Sequence, residues 1–204
     1  MSIFHYFFGD DKKRASFIFD FIAPVYGFID RATKTDYRQL IDIADEKLSL
    51  KGLSVLDVGT GTGSWAAALK AITKAETVGV DMSAKMLKQA EMNYSEIEFI
   101  HLDGEDLSRF KDNSFDIVTA SFVLHGMRID ERTKVLNEMK RVASKYVIIQ
   151  DYHGKIEPFA VFLEIMERSD YKFFMKNFEN EMKSSFNKTN IIKHQNRNLY
   201  IGYK

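Results

Sequence analysis

Three carboxylates and a glycine cluster are the parts of this 204-residue chain whose types and spacing fit chemistry. Asp57 stands two residues before Gly59-Thr60-Gly61-Thr62-Gly63, Asp81 follows Gly61 by twenty residues, and Asp103 is followed directly by Gly104 and Glu105. Glycines let a backbone turn tightly and approach a ligand with no Cβ in the way. A dinucleotide fingerprint, G-x-G-x-x-G, needs a further glycine where this chain has Ser64. A carboxylate at Asp57 is a poor neighbour for a pyrophosphate and a good one for a cation. Asp81 has the spacing of a carboxylate that accepts hydrogen bonds from both ribose hydroxyls. Charge-assisted bonds of this kind are worth roughly 1.5–3 kcal/mol each before desolvation is subtracted. Asp103 with Gly104 is placed to accept from an adenine amine, and Met82 to wall the adenine face. Together these residues describe a site for a positively charged adenosyl compound.

Such a site needs a scaffold that brings distant residues to one edge. Residues 53–58, 77–80, 97–102, 115–122 and 146–150 are short, nearly continuous apolar runs, the pattern of buried strands. Between them the periodicity predicts helices over 29–48, over 64–73, after an N-cap at Ser83, and after a cap at Asp130, then a long aromatic helix over about 159–183. Strands alternating with helices predict a mostly parallel sheet covered on both faces. Two extended pieces near the end, 190–193 and 199–203, have no helix between them. They predict a hairpin that adds one antiparallel strand at the sheet edge. In an open α/β sheet, ligands bind at the carboxyl ends of the strands. Asp57, Asp81, Asp103 and Ser121 all fall at such ends.

Composition narrows the function classes. Lys+Arg and Asp+Glu both number 29, so the formal charge is zero, which argues against general nucleic-acid binding. The absence of cysteine removes disulfides, thiolate metal sites and cysteine nucleophiles together, and no metal site is expected. The N-terminus is apolar only to Phe8 and then meets Asp10 and Asp11, unlike a secretory signal. No apolar run approaches the ~20 residues of a membrane span, and a cytoplasmic location is expected. The whole chain, 1–204, reads as one domain, with 1–48 a helical cap and 50–204 an α/β core.

The run Val55 to Gly63 resembles the glycine motif of class I S-adenosylmethionine (SAM)-dependent methyltransferases. Val78 to Ser83 with Met86-Leu87 resembles their acidic ribose motif, Leu102 to Leu107 their adenine motif, and Asn113 to Val118 their fourth strand. Four motifs in order are far more specific than one. The resemblance implies a Rossmann-like fold, a seven-stranded sheet with an antiparallel final strand, and SAM as cofactor. It implies cofactor contacts from Asp57, Gly59, Gly61, Asp81, Met82, Asp103, Gly104 and Ser121. Upstream, Phe19 to Tyr26 resembles the segment that caps the cofactor site in methyltransferases of ubiquinone and menaquinone synthesis, where a tyrosine matching Tyr26 approaches the cofactor. The Gly-Leu-Arg-Asn stretch of those enzymes is not matched by Val123-Leu124-His125-Gly126, and Arg141 to Lys145 replaces their Pro-Gly-Gly turn. SAM binding is therefore carried over and the quinone substrate is not. The acceptor expected is a small molecule, with His125 a candidate general base or orienting donor and His153 a second candidate. Two other classes compete: an NAD(P)-dependent oxidoreductase, which Ser64 and Asp57 oppose, and a SAM-binding sensor without transferase activity.

Overall fold

Runs of four to ten residues rich in Val, Ile and Phe are too short for stable helices and bury best as neighbours in a sheet. In the computed structural model, which describes residues 37–154 and 170–204, five of them form parallel strands. These are β1 (Val55–Val58), β2 (Thr77–Asp81), β3 (Glu98–His101), β4 (Phe115–Ser121) and β5 (Ala143–Tyr152). Helical residues 37–48 (α1) precede them. Helices α2 (Ser64–Thr73), α3 (Ala84–Asn93) and α4 (Ile129–Val142) cross between strands, and a 3-10 turn, Leu124–Gly126, leaves β4. After α5 (Tyr171–Ser185) the chain closes with β6 (Lys188–His194) and β7 (Arg197–Tyr203). The first part of the expected cap and of the 159–183 helix lies outside the described residues.

The sheet order is β3-β2-β1-β4-β5-β7-β6. Strands β1 to β5 are parallel, while β7 pairs antiparallel with both β5 and β6. This is the expected Rossmann-like sheet with one antiparallel strand, corrected in one respect. The antiparallel strand is not at the edge: β7 is inserted between β5 and β6, and β6 forms the edge. The reason is burial. Five consecutive residues of β7 are buried, whereas β6 buries one residue and exposes Lys188 and Lys193. An exposed edge favours lysine because its charge discourages pairing with other chains.

Strand alternation divides the core between two faces. Leu56, Val58, Val118, Ala120 and Ile149 pack with Met139 of α4 and Phe174 and Phe178 of α5. Val55, Ile117 and Ile148 pack on the opposite face with Leu40 of α1 and Trp65 and Leu69 of α2. Each such Leu or Val, fully buried, contributes about 1.5–3 kcal/mol. Ser83 caps α3 as expected, its hydroxyl accepting from the Met86 N–H at 3.2 Å. The cap expected at Asp130 lies two residues earlier. Arg128 occupies it, its N–H donating to Glu131 at 3.1 Å, while Asp130 sits in the first turn. Strand order reverses between β1 and β4, which opens a crevice at their carboxyl ends.

Candidate active site

The chain leaves β1 through a loop with left-handed backbone at Gly59 (φ 71°) and Gly61 (φ 56°). A Cβ at Gly59 would also stand 2.5 Å from Val123 Cγ2, so β4's exit presses directly on this turn. No atom lies within 4 Å of a Cβ placed at Gly61. Its N–H donates to Asp81 Oδ2 at 2.8 Å, and Asp81 Oδ1 accepts from the Ser83 N–H at 2.8 Å. One carboxylate thus locks the glycine loop to the end of β2. Burial pushes the Asp81 carboxyl above the usual carboxylate range, against the lowering effect of the Ser83 and Gly61 N–H groups and of His101.

The other predicted residues surround this lock. Asp57 is buried on β1, in register with Thr119 of β4. Met82 is partly buried, and its carbonyl accepts from His101 Nε2 at 2.9 Å. Asp103 Oδ1 accepts from the Glu105 N–H at 2.9 Å, and a Cβ at Gly104 would come within 2.8 Å of Val58 Cγ1, so this segment packs against β1. Thr60, between the two glycines, has a buried hydroxyl without a hydrogen-bond partner. A turn built on left-handed glycines, a locked carboxylate and a buried polar atom together fit an adenosyl cofactor. Tyr26 lies outside the described residues.

At the end of β4, Ser121 donates to Gln150 Oε1 of β5 at 2.5 Å. Four residues on, His125 rides the 3-10 turn. Its Nδ1 lies 2.8 Å from Asp151 Oδ1, and its backbone N–H donates to Asp151 Oδ2 at 3.2 Å. Asp151 is fully buried at the end of β5, and the His125 side chain is 15% exposed. Where Asp151 is ionised its carboxylate only accepts, which puts a proton on Nδ1 and leaves Nε2 as the nitrogen that can gain or lose one. Around the imidazole stand Tyr152 (4.8 Å between ring centres), Tyr171 (5.8 Å), Phe174 (6.3 Å) and Phe122 (6.4 Å). Burial, then the Asp151 charge, push the Tyr152 phenol up, so it remains a neutral donor.

Asp151, Gln150 and Tyr152 were not among the predicted site residues. The signal for Asp151 was present: it follows an apolar run, as Asp57 and Asp81 do. His153 is not brought to this pair; its N–H is tied to Asn196 in the β6–β7 turn at 2.8 Å. Among the described residues no cluster of three or more His, Asp or Glu forms a metal centre, and no helix is long and apolar enough to cross a membrane.

Residues 55–145, from β1 into β5, match a family model described as a methyltransferase domain. Residues 55–145 form a class I methyltransferase domain. The demethylmenaquinone methyltransferase of Thermotoga maritima is 36% identical over 141 residues, covering 67% of this chain and 60% of that protein. That of Chlorobaculum tepidum is 33% identical over 140 residues, covering 64% and 56%. The chain therefore spans about three-fifths of the length of these curated relatives. Among solved structures, a SAM-dependent methyltransferase from Aquifex aeolicus superposes with a TM-score of 0.62 at 19% identity, over 89% of this chain and 96% of that one. Magnesium protoporphyrin IX methyltransferase from Synechocystis, with bound S-adenosylhomocysteine, gives 0.62 at 18% identity, over 84% and 83%. These last two likenesses establish the methyltransferase fold. The glycine loop and Asp81 lie at the carboxyl ends of β1 and β2, and His125 and Asp151 at those of β4 and β5.

Proposed function

We propose that the chain transfers a methyl group from SAM to a small, largely apolar acceptor, with His125 and Asp151 as its acid–base pair. The observation that carries this is the pairing, along one sheet edge, of a glycine loop locked by Asp81 with a buried imidazole–carboxylate couple. SAM supplies an activated methyl on a sulfonium, so the cofactor carries the hard chemistry. The residues that would hold it are Gly59 and Gly61 through their backbone, Asp57, Asp81 and Met82, Asp103 and Gly104, Ser121, and Tyr26 from the N-terminal segment. The protein then orients the acceptor, which alone accounts for several kcal/mol of barrier reduction.

His125 Nε2 would take a proton from the attacking acceptor atom while Asp151 stabilises the imidazolium that forms. Such a base matters only for acceptors whose attacking atom must lose a proton. The rings of Phe122, Tyr152, Tyr171 and Phe174 beside the imidazole favour an apolar, ring-bearing acceptor. The curated relatives are named for demethylmenaquinone, and a demethylated naphthoquinol is accordingly the first acceptor to test. We also propose that the chain works in the cytoplasm, the compartment expected from its sequence.

Thermal shift tests cofactor choice. A ligand at 100 times its Kd stabilises by about 2.7 kcal/mol. SAM and S-adenosylhomocysteine should raise the melting temperature and NAD or NADP should not; a response to NAD alone would reverse the assignment. Incubation with methyl-labelled SAM and the naphthoquinol, or with cell extract, should place label on a small organic-soluble product. Cofactor binding with no labelled product from either would support a sensor instead.

A further inference from the structure

We propose that Arg132 and Glu181, neither of them near the glycine loop, are positioning residues that hold His125 in its base-competent orientation; this rests on the role given to His125 above. The problem they solve is local. His125 sits on a 3-10 turn of three residues, and such turns have poor hydrogen-bond geometry. Its two backbone bonds, Gly126 N to Val123 O and Met127 N to Leu124 O, are long at 3.3 and 3.2 Å. A turn this weak does not fix an imidazole by itself.

Arg132 reaches the turn from the first part of α4. Its side chain is fully buried, and its Nη1 donates to the Met127 carbonyl at 2.6 Å and reaches the Leu124 carbonyl at 3.5 Å. Those carbonyls flank His125 on either side. The guanidinium is itself held by Glu181 of α5, with Nε donating to Oε2 at 2.7 Å and Nη2 to Oε1 at 2.8 Å. It also lies 5.3 Å over the Phe174 ring, which stacks on Phe178 at 4.4 Å and stands 6.3 Å from the His125 ring. One planar group therefore joins α4, α5 and the turn, and sets the distance between the imidazole and the aromatic side chains of α5. Only arginine offers this: three nitrogens in a rigid fork serve two carboxylate oxygens and two carbonyls, whereas a lysine has one point donor.

A buried ion pair is weak evidence of stabilisation, since apolar residues of similar volume often serve as well or better. That distinction makes the idea testable. The double variant R132M/E181L replaces the pair with apolar side chains and so keeps the packing, but removes the guanidinium donor to the Leu124 and Met127 carbonyls. The readout is the tautomer of His125 in the full chain labelled with ¹⁵N-histidine, its signal identified by loss in H125N. The native chain should show the Nδ1–H form dictated by Asp151. R132M/E181L should shift His125 toward the Nε2–H form that a free histidine side chain prefers, while its melting temperature stays near native. R132K should fall between the two. With the naphthoquinol and SAM, kcat should drop about tenfold or more with little change in KM, the sign of a lost transition-state contact. An unchanged Nδ1–H signal in R132M/E181L would overturn the proposal. If that variant does not fold, R132K decides, and a native tautomer there overturns it equally. Absence of methyl transfer by the native chain would count against the proposed reaction alone, because the tautomer is read without turnover.

Discussion

The imidazole of His125 and the carboxylate of Asp151 divide one task between two strand ends. His125→Ala should lower kcat by roughly 10²–10⁴, the usual worth of a positioned general base, and leave S-adenosylhomocysteine affinity unchanged in calorimetry. Asp151→Asn should act in the same direction, because the Nδ1 proton loses its ionic acceptor. On the cofactor side, burial holds the Asp81 carboxyl above its ordinary range. The folded chain then binds that proton more tightly than the unfolded chain. The stability this adds is present at low pH and is lost as pH rises through the folded pKa. Hydroxyl donors bind the ionised carboxylate better, so S-adenosylhomocysteine affinity should rise as pH rises through the raised Asp81 pKa, and the rise should vanish in Asp81→Asn. Calorimetry across that range checks it, and an identical slope in both proteins would remove Asp81 from the ribose. Asp81 was legible in the sequence because its distance from Gly61 is a local spacing. The partner of His125 was not, because their contact exists only once β4 and β5 lie side by side.

Elements set how much each local change costs. Gly59 and Gly61 share left-handed backbone, but only Gly59 faces a neighbour at collision distance. Gly61→Ala should cost about 1–2 kcal/mol, the penalty of the backbone region alone. Gly59→Ala should cost more, because Val123 must also move; denaturant melts that rank them the other way would contradict the packing described. Helix α4 is fastened to the loop after β3 by Arg141 and Glu138. The Arg141 side chain, followed by the Leu107 N–H, holds the Glu138 carboxyl below its usual range despite some desolvation. The resulting stability is present above the unfolded value and disappears as pH falls through the folded pKa. Acid melts should therefore show Glu138→Gln losing less stability than the native chain over that window. The element limits themselves were largely legible. Helix α2 runs from Ser64 to Thr73 as its periodicity predicts, since α2 packs one face on the sheet and helix period and burial agree. Strand β5 is longer than its apolar run because polar Ser144 and Lys145 bind Asp116 of β4, a pairing no single-strand pattern reveals.

At the scale of the molecule, β5 is enclosed, with β4 parallel on one side and β7 antiparallel on the other. Its central amides, Val147 to Ile149, should be among the slowest to exchange with deuterium, whereas those of the 3-10 turn should exchange through small local openings. The two members of the proposed acid–base pair thus belong to different regimes of motion. Asp151 is planted at the end of an enclosed strand, and His125 is carried on a three-residue 3-10 turn. When that segment opens, a negative charge is stranded in the interior with its companion gone, a state several kcal/mol uphill. The stranded charge acts as a return spring: the more rigid the anchor beneath it, the shorter the time the imidazole spends away.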